Sequence, residues 1–288
     1  MPTNITISIA DFSIRLISDA AVSLEEGYLP FVISRDIDDT DITIECFQGI
    51  PSVPFPLTDL VFEATNETRK FYSIYRTANG LGFVMYNQQT TDEIQQIAML
   101  DNTFSNWTVY LNPEDDGSLL PLKYPFGPIV MYYLTVKAQA VLIHASCIFD
   151  GEKGRIFTGF SGNGKSTMSK LWADEGNLVI NDDRLIIRKQ DTGYFVYNTP
   201  MYYNDRPKKT TLDGIHLISH SPENKIKKLS GAIAVSKVMA FCIQNNYDKE
   251  YIHNQLNFLS ELCTKVPVYE LGFVPDTSIV NFVKSNES

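Results

Sequence analysis

The segment that most constrains the fold is Gly159-Phe160-Ser161-Gly162-Asn163-Gly164-Lys165-Ser166-Thr167. It fits the pattern G-x-x-x-x-G-K-[ST], and its surroundings fit the same mechanism. Residues 155–160 read as a strand and residues 165–175 as an amphipathic helix. Glycine accepts backbone angles that other residues resist, so successive N–H groups can turn toward one anion. The helix that begins at Lys165 adds its positive end.

That geometry predicts a binding site for a nucleoside triphosphate with Mg²⁺. Lys165 is expected to reach the β and γ phosphates and the Ser166 hydroxyl to ligate the metal. Gly159, Ser161, Gly162, Asn163, Gly164 and Thr167 complete the cradle. An acidic partner is required, and the spacing says where to look. The helix descends about 16 Å at 1.5 Å per residue. A strand over residues 177–181 then climbs about 16 Å back. It delivers Asp182-Asp183 beside the phosphates. Asn-Asp-Asp after a strand is ordinarily a solvated turn; one helix and one strand beyond a phosphate loop, it reads as part of a site.

His144 is the third element. If residues 150–154 make a hairpin turn centred near residue 151 or 152, residue 144 lies opposite 159 or 160, at the mouth of the loop. The structural alternative is a core histidine bonded to backbone. His216 and His220, four apart but without a helical pattern, suggest a strand or loop rather than a metal pair. Arg206, Lys208 and Lys209 form the tight basic cluster of the second half, either a phosphoryl clamp or a solvated turn.

Composition narrows the partners. With 24 basic and 34 acidic residues the net charge is −10, which repels a nucleic-acid backbone over most of the surface. Cys46, Cys147, Cys242 and Cys263 are far apart and match neither a zinc site nor a disulfide framework, so reduced thiols in a cytoplasmic protein are expected. No signal peptide is visible at the N-terminus, and the longest apolar stretch, residues 129–136, is too short to span a bilayer.

The expected fold class is mixed α/β. Residues 1–122 form a β-rich module with strands near 5–9, 13–17, 42–47, 60–63, 71–76 and 107–111. Pro, Gly and acidic residues concentrate between 112 and 128, which suggests a boundary there. A nearly all-apolar helix follows from residue 129, and strands alternate with helices to the end, so residues 123–288 form the nucleotide-binding domain.

Three stretches together carry a resemblance: Ile143-His144-Ala145-Ser146, residues 159–167, and Leu178-Val179-Ile180-Asn181-Asp182-Asp183-Arg184. They resemble the HPr kinase/phosphorylase family and its phosphoenolpyruvate-carboxykinase-like relatives, over roughly residues 140–283. The resemblance implies a P-loop kinase domain and an ATP-dependent phosphotransferase. Asp182 would act as acid/base toward a hydroxyl on a protein serine or small molecule, Asp183 would help with the metal, and His144 would belong to the site edge. It also implies oligomer formation. A non-catalytic nucleotide sensor shares every loop residue, and a true carboxykinase would need arginines in a dicarboxylate setting that the chain does not show. A transporter-type ATPase would need an apolar strand ending in Asp-Glu after Gly231, which is missing.

Overall fold

Strand pattern builds the first half. Along Phe12–Ser18, buried residues alternate with half-buried ones, the period-two signature of a strand with one face in a core. Ala10 and Asp11 take φ of 53° and 60°, the turn geometry that folds this strand back on its predecessor. The computed structural model describes residues 3–34, 39–66, 68–87, 93–201, 205–244 and 247–287. The chain divides into two compact units, Met1–Lys137 with Pro200–Arg206, and Ala138–Thr199 with Pro207–Ser288. Both are mixed α/β and mostly strand.

In the first unit the elements are β1 (Thr3–Ile9), β2 (Phe12–Ser18), β3 (Val32–Ile33), β4 (Ile42–Gln48), β5 (Leu60–Thr65), β6 (Lys70–Thr77), β7 (Gly80–Tyr86), β8 (Ile94–Asp101), β9 (Asn106–Leu111) and α1 (Phe126–Lys137). The described strands form one sheet in the order β3-β1-β2-β4-β9-β8-β7-β6-β5. Here the expected boundary moves. Helix α1, assigned by composition to the second domain, belongs to the first unit. The reason is aromatic packing: Trp107 of β9 meets Phe126 of α1 edge-on at 5.1 Å, and Phe83 of β7 meets Tyr133 at 5.5 Å. These rings are almost wholly buried and hold the helix to the sheet. Pro200–Arg206 returns to the same unit, where Gly27 lies so close to the backbone of Met201 that a Cβ would fall 1.3 Å from its carbonyl oxygen.

The second unit contains β10 (Ala140–Phe149), β11 (Gly154–Thr158), α2 (Lys165–Asp174), β12 (Leu178–Asn181), β13 (Arg184–Gln190), β14 (Gly193–Asn198), β15 (Lys209–Thr211), β16 (Gly214–His220), β17 (Lys225–Leu229), α3 (Gly231–Met239), α4 (Lys249–Lys265), β18 (Val268–Phe273) and α5 (Ser278–Asn286). Its sheet runs β15-β14-β13-β10-β11-β16-β18-β17, with β12 also pairing β10. Strands β11, β16 and β18 are parallel. Alternation sends Ile156 and Leu217 into a core shared with α3 and α4, and Phe157 and Ile218 into one shared with α2 and α5. The loop that follows β11 therefore opens a helix lying on one face of a two-sided sheet.

At the start of β11 sits a buried ionic cluster. Arg155, 2% exposed, reaches Asp150 and Glu287, each at 2.7 Å. His216 lies 3.0 Å from Glu287, its ring stacked between Phe157 and Tyr269 at 5.1 Å each. Burial alone would raise the Glu287 carboxyl; His216 and Arg155 pull it down to about 2. No described helix is long and apolar enough to cross a membrane. All four cysteines are free.

Candidate functional site

Three adjacent strands bring the expected residues to one level. The β10–β11 hairpin pairs Ala145 with Thr158, so His144 falls level with Gly159 at the mouth of the loop. Strands β12 and β13 run as successive parts of one line along β10. Cys147 faces Asn181 on one side of the break and His144 faces Arg184 on the other. Asp182-Asp183 is the bend that interrupts this line, and the Ala145 N–H donates to the Asp183 carbonyl at 2.9 Å. A second restraint is local: the Asn181 side chain accepts from the Asp183 N–H at 3.0 Å.

The loop has the backbone its glycines allow. Gly162 and Gly164 take φ of 83° and 92°, the second as the residue that starts α2. Nothing lies within 4 Å of where a Gly162 Cβ would project, so the concave side is open. The far side is pinned to β16. The Asn163 amide donates to the Ile218 carbonyl at 3.0 Å, and His220 Nε2 donates to the Gly162 carbonyl at 3.2 Å. Lys165 folds back over its own loop, donating to the Gly159 and Phe160 carbonyls at 3.0 and 3.4 Å.

The electrostatics are positive with one acidic insert. Burial lowers the Lys165 ammonium below its usual range, and Asp183 partly restores it. His144 Nε2 lies 3.4 Å from Asp183 Oδ1, and Arg184 Nε lies 3.9 Å from the other carboxylate oxygen. Burial, followed by the Lys165 charge, holds the His144 imidazole below its ordinary value, with Asp183 opposing and Arg184 adding to the effect. His144 is therefore neutral at pH 7. Among the described residues no group of three His, Cys, Asp or Glu side chains converges on a common point. A metal shared with a ligand's phosphates needs only one or two carboxylates.

The structure thus gathers His144, Lys165 and Asp183 at the exit of β11, with Asp182 beside them in the bend and Ser166 and Thr167 exposed in the first turn of α2. It does not bring His216 and His220 together as a pair: one is buried on Glu287 and the other braces the loop. Lys208 donates to the Val179 carbonyl at 2.8 Å, and Lys209 lies over the Phe195 and Tyr197 rings at 4.6 and 4.9 Å. Arg206 belongs to the first unit. Arg184 and the loop-bracing role of His220 were missed. Arg184 could have been found from its place next to the aspartate pair; nothing local in the sequence marks His220.

A pocket of about 780 Å³ opens on the β16 side of the loop. Gly159, Phe160 and Asn163 form one wall, and residues of β16, β17, β18 and the end of α3 form the others.

No protein-family model matches the chain, and no curated protein does. Among solved structures it is similar to the HPr(Ser) kinase/phosphatase from Coxiella burnetii, at 11% identity and a TM-score of 0.32, over 50% of this chain and 94% of that one. The likeness is distant, and the functional reading rests on the chain's own residues.

Proposed function

We propose that this chain is an ATP- and Mg²⁺-dependent phosphotransferase with a P-loop kinase domain, moving the γ-phosphoryl group to a hydroxyl on a protein or small molecule. The observation that carries the reading is the meeting of Lys165, His144 and Asp183 at a strand end where the backbone opens into a glycine cradle.

The residues fit the groups they would hold. Free N–H groups at the start of α2 and the Lys165 ammonium supply positive charge to the phosphates of ATP. The Ser166 hydroxyl and Asp183 carboxylate would hold Mg²⁺, which when bound neutralises phosphate charge. Asp182, half-exposed in the bend, can accept the proton of an acceptor hydroxyl arriving from solvent. Neutral His144 braces Asp183, so the two carboxylates keep different jobs: one turned toward the loop's cations, the other toward the acceptor.

The test is transfer itself. Wild-type protein incubated with γ-labelled ATP, Mg²⁺ and cell extract is expected to label an acceptor, and Lys165→Ala to label nothing. Calorimetry should show ATP–Mg²⁺ binding lost in Lys165→Ala; equal affinity in the two proteins would sink the loop assignment. Tight binding with no acceptor labelled under any condition would favour a nucleotide-binding regulator instead.

A further inference from the structure

The pocket on the β16 side of the loop is not used by the residues assigned to phosphoryl transfer. None of His144, Lys165, Asp182 or Asp183 lines it. We propose that it receives the nucleoside end of the triphosphate, with the base against Phe160 and Phe241 and its polar edge read by the Lys237–Glu270 pair. This inference rests on the proposed phosphate loop and extends it to the rest of the ligand.

Position is the first support. Strand β11 has β10 on one side and β16 on the other. The acidic group stands on the β10 side, with His144 on that strand and Asp183 bonded to it. The pocket stands on the β16 side and shares Gly159, Phe160 and Asn163 with the loop. A triphosphate with its terminal group toward Lys165 and Asp183 sends its other end across the loop, away from them. The pocket is continuous with that path.

Size and chemistry agree. At about 780 Å³ it falls within the range of small-molecule sites, roughly 300–1,000 Å³. Phe160 is 70% exposed although it lies in a tight loop, and its ring meets Phe241 at 5.1 Å and 72°. An apolar ring held in solvent beside a pocket offers a stacking surface to any planar base. Lys237 donates to Glu270, so a hydrogen-bond donor and an acceptor stand side by side. That arrangement matches the neighbouring donor and acceptor on the edge of a nucleobase. An acceptor substrate fits less well. Among the described residues lining the pocket, Glu270 is the carboxylate, and Lys237 already holds it, so a hydroxyl bound there would find no base.

The experiment compares ATP with inorganic tripolyphosphate, each with Mg²⁺, by calorimetry on the full chain. Two variants probe the pocket: Ala240→Trp, which fills it from an exposed helix end, and Phe160→Ala, which removes the ring. Both are expected to weaken ATP by about ten-fold or more and to leave tripolyphosphate unchanged. Phe160 is too exposed for its loss to unfold the protein, so it decides the matter if Ala240→Trp misfolds. Glu270→Gln is expected to change the order of preference among ATP, GTP, CTP and UTP. Unchanged ATP affinity in Phe160→Ala and in folded Ala240→Trp overturns the pocket assignment while the phosphate loop stands. So does wild-type affinity for tripolyphosphate equal to that for ATP. If wild type binds neither ligand, the phosphate-loop reading fails and the pocket assignment with it.

Discussion

Each unit carries a run of three adjacent parallel strands, β2-β4-β9 in the first and β11-β16-β18 in the second. Only one of these runs ends in a site that can take an anion. Strand β4 runs into Gly49, at φ 91°, and then into a proline-rich loop whose Phe55 ring covers Gly82 of β7. Strand β11 runs into Gly162 and Gly164, at φ 83° and 92°, and straight into α2. Both exits use left-handed glycine, and both follow a strand. The difference is the helix, whose unpaired N–H groups face the loop only in the second unit. Parallel strands provide a place for a crevice; the element that follows decides what the crevice can hold.

The largest effect that would test this contrast is chemical. Asp182→Asn is expected to slow the transfer step by ~10²–10⁴ while ATP affinity survives. Asp183→Asn should instead weaken ATP in the presence of Mg²⁺ and much less without it. A rapid-quench measurement paired with calorimetry separates the two, and a swap of roles between these neighbours would appear directly. Next, Trp107→Ala should cost the first unit about 3–5 kcal/mol in denaturant unfolding. Nucleotide affinity in protein that remains folded should not change. Coupled losses would mean that the first unit shapes the site and would break the comparison.

A matched glycine pair sharpens it. Gly164→Ala meets strain at φ 92° and a Cβ contact of 2.8 Å with the Phe273 ring. It should cost about 1–3 kcal/mol of stability and weaken ATP about ten-fold. Gly49→Ala meets similar strain, at φ 91° with nothing within 4 Å, so it should cost only the backbone term and leave ATP affinity alone. The smallest effect is a titration. NMR should place His144 below its ordinary 6.5, and Lys165→Ala should raise it by removing a neighbouring charge. Since the folded value is depressed, the folded protein loses stability as pH falls from the unfolded value through the folded one.

Much of the second unit was legible because its information is local. The glycine spacing marks the loop, a turn over residues 150–154 sets the register that puts His144 level with Gly159, and one helix plus one strand locates Asp182-Asp183. The pocket was not legible. Its walls come from Phe160, Leu217, Lys237 and Glu270, far apart in the chain and joined only by strand order. In the first unit, β7 and β8 do not announce themselves. Gly82 interrupts the apolar run of β7, yet it is needed there because a Cβ would strike the Phe55 ring at 2.5 Å. In β8, Gln96 looks like a surface residue, but its amide is buried on the Pro121 carbonyl at 3.1 Å. The domain boundary moved because composition records where polar residues gather, not which aromatic rings meet across a helix.

The return of Pro200–Arg206 to the first unit bears on how this chain is made. Synthesis proceeds from the N-terminus, and early units generally fold as they emerge. Here the first unit lacks Met201 against Gly27 until about 70 further residues have been added, at roughly 5–20 residues per second. Through that interval the nascent sheet waits with an uncovered glycine. A stop codon or protease cut between the two stretches would leave the first unit lacking a piece it cannot replace.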